Sequence, residues 1–204
     1  MKKLSEKTVY DGNWLSVRQT IYQNKDGKEL SWECVHRKRS TVGVVILARL
    51  IPSRRFILIK QYRPAIDGYI ISLPAGLGFN DPNHALVELK EETGYTGKIV
   101  DASPVLKTGV SLIDDSARIV CIEVDENLSA NQNPVQELED AEDIEVFLVA
   151  KEDGKNFLMD QIKQGNQGLQ NHLQSKFLMC LIQVPLHLRM ILNASNRLKK
   201  LQVI

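Results

Sequence analysis

The sequence carries almost no net charge: 26 lysines and arginines stand against 25 aspartates and glutamates, a formal +1. That balance excludes the broad basic field by which a protein holds nucleic acid or an anionic membrane, so neither is expected as a partner. Cysteine is scarce as well. Cys34, Cys121 and Cys180 are odd in number, far apart and without C-x-x-C spacing. They frame neither a disulfide scaffold nor a zinc site, and read as reduced, mostly buried thiols. No run of 18 apolar residues occurs, so no membrane-spanning helix is expected. The opening "MKKLSEKTVY" has charges but no apolar stretch, which argues against a secretory signal. These absences together predict a soluble cytoplasmic protein, with the nucleus as the alternative compartment.

What is present suits one globular domain with a small appendage: 204 residues, 43% of them hydrophobic. The first forty residues alternate like strands, and the Asp26-Gly27 pair between "TVYDGNWLSVRQTIY" and "KELSWECVHR" is a hairpin-turn signal. Apolar, β-branched runs follow at 41–51, 54–62 and 68–76, the last stopped by Pro74. Two more stand at 117–125 and 143–150, and the acidic stretch 126–142 between them reads as a long surface loop. Helix signals are fewer. "NDPNHALVELKEETG" offers Asp81 as an N-cap, Pro82 at the first helical position and Gly94 just past the end. Further helices are expected at about 154–164 and 168–183, the second from an apolar stripe that includes Leu169, Leu173, Phe177 and Leu181. A basic amphipathic tail, 184–204, follows. Strands, one helix, strands and then helices predict an α+β chain built as an α/β/α sandwich.

The helix near Pro82 poses a chemical question. Glu88, Glu91 and Glu92 stand at i, i+3 and i+4 and share a face. Like charges at that spacing cost roughly 0.2–0.5 kcal/mol per pair. Carboxylates in a last helical turn also meet the negative end of the dipole, at roughly 0.3–1 kcal/mol each. Two readings fit: a solvated acidic helix end, or a site for a hard divalent cation completed by substrate phosphates. The "LPAG" ahead of the helix bears on the choice, because a strand ending in Pro74-Ala75-Gly76 can bring a free backbone carbonyl close to the carboxylates, and a glycine permits close approach. Spacing alone leaves both readings open.

The combination "IKQYRP", "LPAGL", "ELKEETGYTGKI" and "LEDAEDIEVF", in this order of strands, resembles the Nudix hydrolase superfamily. The likeness runs over roughly 5–175 and is to the ADP-ribose/ADP-sugar pyrophosphatase branch. Glu88, Leu89, Glu91, Glu92, Gly94 and Tyr95 meet the second half of the Nudix box. The first half departs from it: the spacing from Gly76 to Glu88 is three residues short, Val87 holds the place of the box arginine, and Asp81 is the nearest substitute for the first acidic position.

The resemblance implies a Nudix fold with a mixed sheet over 41–183, preceded by an antiparallel β-subdomain over 1–40 that dimerises and binds adenine. It implies a homodimer with swapped N-terminal strands. Mg2+, with Mn2+ as the alternative, would be held by Glu88, Glu91, Glu92 and the Ala75 carbonyl. Trp14 and Trp32 would sandwich an adenine; simple packing of a small sheet is the competing reading. Glu33 would meet the polar edge of the base. Arg37 and Arg63 would clamp a diphosphate, a task that suits the guanidinium fork. Glu142 would serve as the catalytic loop carboxylate beside Glu91 and Glu92, with Glu139 and Glu145 as rivals. The implied activity is Mg2+-dependent hydrolysis of ADP-ribose or a related nucleoside diphosphate sugar to AMP and ribose 5-phosphate. The departures in the box leave a second expectation, a protein that binds such nucleotides without efficient turnover.

Overall fold

The computed structural model describes residues 1–39, 42–77 and 81–164. Three antiparallel strands open the chain, β1 (Lys2–Asp11), β2 (Leu15–Gln23) and β3 (Glu29–Arg37), in the order β1-β2-β3. The expected turn joins β2 to β3. Gly27 takes φ 82°, which a side chain would resist, and Asn24 Oδ1 accepts the N–H groups of Asp26 and Lys28, each at 2.9 Å.

The second sheet has eight strands: β4 (Val42–Ile51), β5 (Phe56–Arg63), β6 (Gly68–Ser72), β7 (Ala75–Leu77), β8 (Lys98–Ala102), β9 (Leu106–Lys107), β10 (Ser116–Asp125) and β11 (Ile144–Val149). Its central order is β11-β5-β4-β10-β8, with β6 on β5, β7 on β4 and β9 on β10. β4 and β10 run parallel along their whole length and the other pairs are antiparallel, so the sheet is mixed.

A strand buried on both faces reads as a continuous apolar run, which is how "VGVVILARLI" reads. Its pleat divides the core in two. Val44, Ile46, Ala48 and Leu50 pack with Ile57, Val120, Ile122 and Val124 beneath Ala85 and Leu89 of α1 (His84–Thr93). Val45 and Leu47 point the other way, toward Leu58, Ile71, Leu73 and Val149, beneath Leu158 and Phe157 of α3 (Gly154–Lys163). Helices cover both faces, as the α/β/α expectation requires.

Several local expectations need correction. Helix α1 begins at His84, not Pro82. Asp81, Pro82 and Asn83 form a preceding turn in which Asp81 Oδ1 accepts the Asn83 N–H at 2.9 Å. That bond uses the cap two residues early, as short Asp side chains do in turns. The stretch 126–142 is not all loop, since α2 (Ser129–Gln132) interrupts it. Cys34 and Cys121 are half-buried rather than mostly buried. Cys180, the helix expected over 168–183 and the tail from 184 lie outside the described residues. Among the described residues, no helix is long and apolar enough to cross a membrane.

Helix α1 has ten residues, too few to persist alone in water. Ala85 and Leu89, both fully buried one turn apart, hold it to the sheet, and a buried leucine contributes about 1.5–3 kcal/mol. Gly94 closes it at φ 76°, its N–H donating to Lys90 O at 2.8 Å. A Cβ there would collide with the backbone of Pro134 and Val135. The same segment satisfies the helix's last carbonyls: the Glu137 N–H reaches Glu91 O at 2.9 Å, and Gln136 Nε2 reaches Glu92 O at 2.6 Å. These contacts fix the rotation of the helix and with it the direction of its glutamates.

Candidate active site

Strand β7 lies antiparallel to β4, with Ala75 opposite Val45 and Gly76 opposite Val44. This places the "PAG" backbone against α1. Glu92 is only 2% exposed, and its Oε2 accepts the Ala75 N–H at 2.9 Å. So it is the N–H of Ala75 that meets the glutamate here. Glu88, one turn earlier, packs against Gly76 so tightly that a Cβ at that position would overlap its carboxylate. Glycine at 76 is needed for this approach, independent of any backbone strain.

Burial raises both carboxyls. Glu92 is pushed up to about 8, first by loss of water, then by the negative charges of Glu88 and Glu142; the Ala75 N–H and the Arg63 charge oppose this. Glu88 is raised as well, chiefly by burial, with Glu91 and Glu142 adding to it and His84 opposing. Glu92 therefore lies within electrostatic reach of Glu88, Glu142 and Arg63, and Glu88 within reach of Glu91 and Glu142. Among the described residues, no three His, Cys, Asp or Glu side chains converge tightly enough to enclose an ion by themselves. The buried Glu92 and the half-buried Glu88 are the donor set on offer. A hard cation that keeps substrate and water oxygens needs only one or two such carboxylates.

The loop carrying Glu142 is anchored on both sides. Gln136 Nε2 bridges Glu92 O and Ile144 O. The Tyr62 N–H donates to Asp143 O at 3.2 Å, and the Tyr69 hydroxyl donates to the Asp143 carboxylate. Glu142 itself closes a turn, accepting the Glu139 N–H at 3.0 Å. Its rivals sit differently: Glu139 is exposed, and Glu145 lies 3.5 Å from Lys60.

The residues named for the base and the diphosphate are more scattered. Trp14, in the turn between β1 and β2, is 63% exposed with the Arg39 guanidinium 4.4 Å over its ring. Trp32, on β3, is 49% exposed. Thr20 lies opposite Trp32 and the Lys38 N–H donates to Trp14 O, so roughly 20 Å of strand separates the backbones of the two tryptophans. Glu33 follows Trp32 on β3 and is exposed; alternation puts the two on opposite faces. Arg63, at the end of β5, is exposed beside the acidic group. Arg37 is engaged by Asp115, its Nε donating to Oδ2 at 3.1 Å, while His36 meets Asp114 at 2.8 Å.

Sequence reasoning missed His84, whose Nε2 lies 2.9 Å from Glu88 Oε1. The i, i+4 spacing was the available signal. It also missed Asp114 and Asp115, and the Tyr69–Asp143 contact; each depends on chain segments brought together only by the fold, and no local pattern marks them.

No protein-family model matches the chain. A solved structure titled as an ADP compounds hydrolase aligns over 97% of both chains with a TM-score of 0.62 at 18% identity, and so shares the fold. An ADP-ribose pyrophosphatase of Saccharomyces cerevisiae is 37% identical over 154 residues, covering 70% of this chain and 67% of that protein. An uncharacterized Nudix hydrolase of Schizosaccharomyces pombe is 33% identical over 146 residues, covering 67% and 71%. The fold and these relatives define an α/β/α-sandwich hydrolase. The chain belongs to the Nudix hydrolase family.

Glu92 gives a test of the site's electrostatics. A carboxyl whose folded pKa is raised loses stability as pH climbs, because the unfolded state ionises first. In metal-free protein, stability should decline from about pH 4.5 to about 8, the range in which the unfolded chain releases the Glu92 proton that the folded state keeps. Glu92→Gln should escape that decline and exceed the native chain by about 2–4 kcal/mol at pH 8 in urea unfolding with chelator. Parallel stability profiles for the two proteins would refute the assigned strain.

Proposed function

We propose that this protein hydrolyses the diphosphate of ADP-ribose or a related nucleoside diphosphate sugar, giving AMP and ribose 5-phosphate from ADP-ribose. The observation that carries the reading is the buried Glu92, held against Ala75 and repelled by Glu88 and Glu142 beside Arg63. The glycine cradle around Glu88 fits a divalent ion, because it holds a second carboxylate beside the first with no room for a side chain between. When bound, Mg2+ (or Mn2+) held by Glu88, Glu91, Glu92 and the Ala75 carbonyl would neutralise the diphosphate and acidify a water.

The protein's own groups do the rest. Arg63 binds phosphate oxygens at the mouth of the acidic group. Arg37 joins it with the guanidinium donors left after its Nε bond to Asp115. Glu142 accepts the proton of the attacking water as one phosphorus–oxygen bond of the diphosphate bridge breaks. Trp14 and Trp32 stack on the adenine, each worth roughly 0.5–1.5 kcal/mol beyond its buried area, whereas Glu33, on the opposite face of β3 from Trp32, is left out of the base contact.

Two indoles so far apart on one sheet close on a single base only if one comes from a second copy of the chain. The exposed Leu4, Val9, Tyr10 and Leu15 on β1 and β2 supply an apolar surface for that copy. A homodimer exchanging its N-terminal strands therefore belongs to the reading. A second reading, nucleotide binding without efficient turnover, is favoured by the exposed Val87 in the place of the box arginine.

ADP-ribose with Mg2+ and a phosphatase, followed by phosphate release, tests hydrolysis; calorimetry with ADP-ribose tests binding. Release that drops at least about 100-fold in Glu92→Gln supports the enzyme, a loss in the range expected for a transition-state interaction. Tight binding with no release supports the second reading, and neither binding nor release discards both. Light scattering should give twice the 23.1 kDa chain mass, and a monomer at micromolar concentration would remove the swapped dimer from the account.

A further inference from the structure

The Glu88 carboxylate has a partner that the function above does not use. It sits at the interface of β7 and α1, with a side chain 17% exposed, against Gly76 on one side. On the other side stands His84, the first residue of α1, whose side chain is 25% exposed and whose Nε2 is 2.9 Å from Glu88 Oε1. The residue just ahead of Glu88 cannot help. Val87 is aliphatic and 48% exposed, so it offers neither charge nor hydrogen bond. Lys90 is committed elsewhere, within 3.4 Å of Glu137 and donating to Val135 O at 3.2 Å, at the far end of the helix. Among the described residues, Glu88 would otherwise be a half-buried carboxylate aimed only by packing, and a glutamate side chain has three rotatable bonds to lose direction through.

From this arrangement we infer that His84 is a positioning residue: its imidazole N–H donates to Glu88 Oε1 and holds that carboxylate in the orientation the divalent ion requires. The contact joins side chains one turn apart, which puts them on the same face of the helix. The helix start is itself fixed, because Asp81 accepts the Asn83 N–H and its carbonyl accepts the His84 N–H at 3.1 Å. His84 therefore has a rigid base from which to orient its neighbour. Hydrogen-bonding partners of metal-ligating carboxylates commonly matter by 10–100-fold in metal affinity or activity. His84 touches neither substrate nor reacting atoms in this scheme and acts only through Glu88.

This inference rests on the proposed hydrolase reading, and its test separates the two. Mn2+ alone is the probe, its free concentration followed by electron paramagnetic resonance on the full chain. His84→Leu keeps apolar bulk without a donor, whereas His84→Gln keeps an N–H at similar reach. His84→Leu should weaken Mn2+ binding about 10–100-fold, and His84→Gln should stay within about threefold of the native chain. With ADP-ribose, His84→Leu should lower kcat and leave KM nearly unchanged. If His84→Leu does not fold by circular dichroism, His84→Gln decides: native-like Mn2+ affinity supports the inference and a loss beyond tenfold overturns it. Native Mn2+ affinity in His84→Leu overturns it, as does an equal loss in both variants, which would make the imidazole itself a ligand. Glu92→Gln is the control. If Mn2+ affinity is indifferent to Glu92, the site reading fails; if it depends on Glu92 but not on His84, only the positioning role fails.

Discussion

The hydrogen bond from the Ala75 N–H to Glu92 Oε2 ties a strand end to a helix end and decides what both can do. Without it, β7 would be a three-residue strand with little reason to lie against α1, and Glu92 would be a buried charge with no donor. One neutral donor does not compensate for lost water. A buried ionised carboxyl is expensive unless paired, so the group is held up toward about 8, and the charges of Glu88 and Glu142 push the same way. The fold keeps an electrostatic conflict in place by packing around it. Leu89 and Ala85 secure the helix from beneath, Gly94 and the segment 134–137 secure its end, and Gly76 admits Glu88 from the side.

Such a conflict costs stability and is tolerable where something else resolves it. A cation bound among the carboxylates adds an attraction to each of them that outweighs their mutual repulsion. The placement of Arg63 is consistent with this. It lies near enough to lower Glu92 yet stays exposed at the end of β5, where a phosphate can reach it. The Glu142 loop adds a further carboxylate whose position is set through Gln136 and Asp143 rather than by free rotation. The acidic residues, Arg63 and the Ala75 backbone thus come from α1, β5, β7 and one loop.

Most of the framework was legible from residue order. The run "VGVVILARLI" specifies a strand buried on both faces, and "DG" specifies the hairpin between β2 and β3. "ELKEETG" carries the helix, its acidic residues and the glycine that ends it. The short strands β8 and β9 were not legible, because "KIVDA" and "LK" are too brief for alternation to register. The helix start was displaced because Asp81 spends its side chain on a turn rather than on a cap. At the site, the i, i+4 contact of His84 with Glu88 was within reach of spacing rules. The engagement of Arg37 by Asp115 was not, since those residues are 78 positions apart and meet only when the 109–115 segment docks on β3.

Glu92 is a buried acid held toward its neutral form by loss of water and by its acidic neighbours. Carbon-13 NMR of glutamate side-chain carboxyls, with Glu92 assigned through Glu92→Gln, measures this directly in metal-free protein and again with saturating Mg2+. The account predicts that Glu92 titrates near about 8 without metal and is ionised throughout the accessible range once Mg2+ is bound. A metal-free titration near the ordinary 4.5, unmoved by Mg2+, would contradict it.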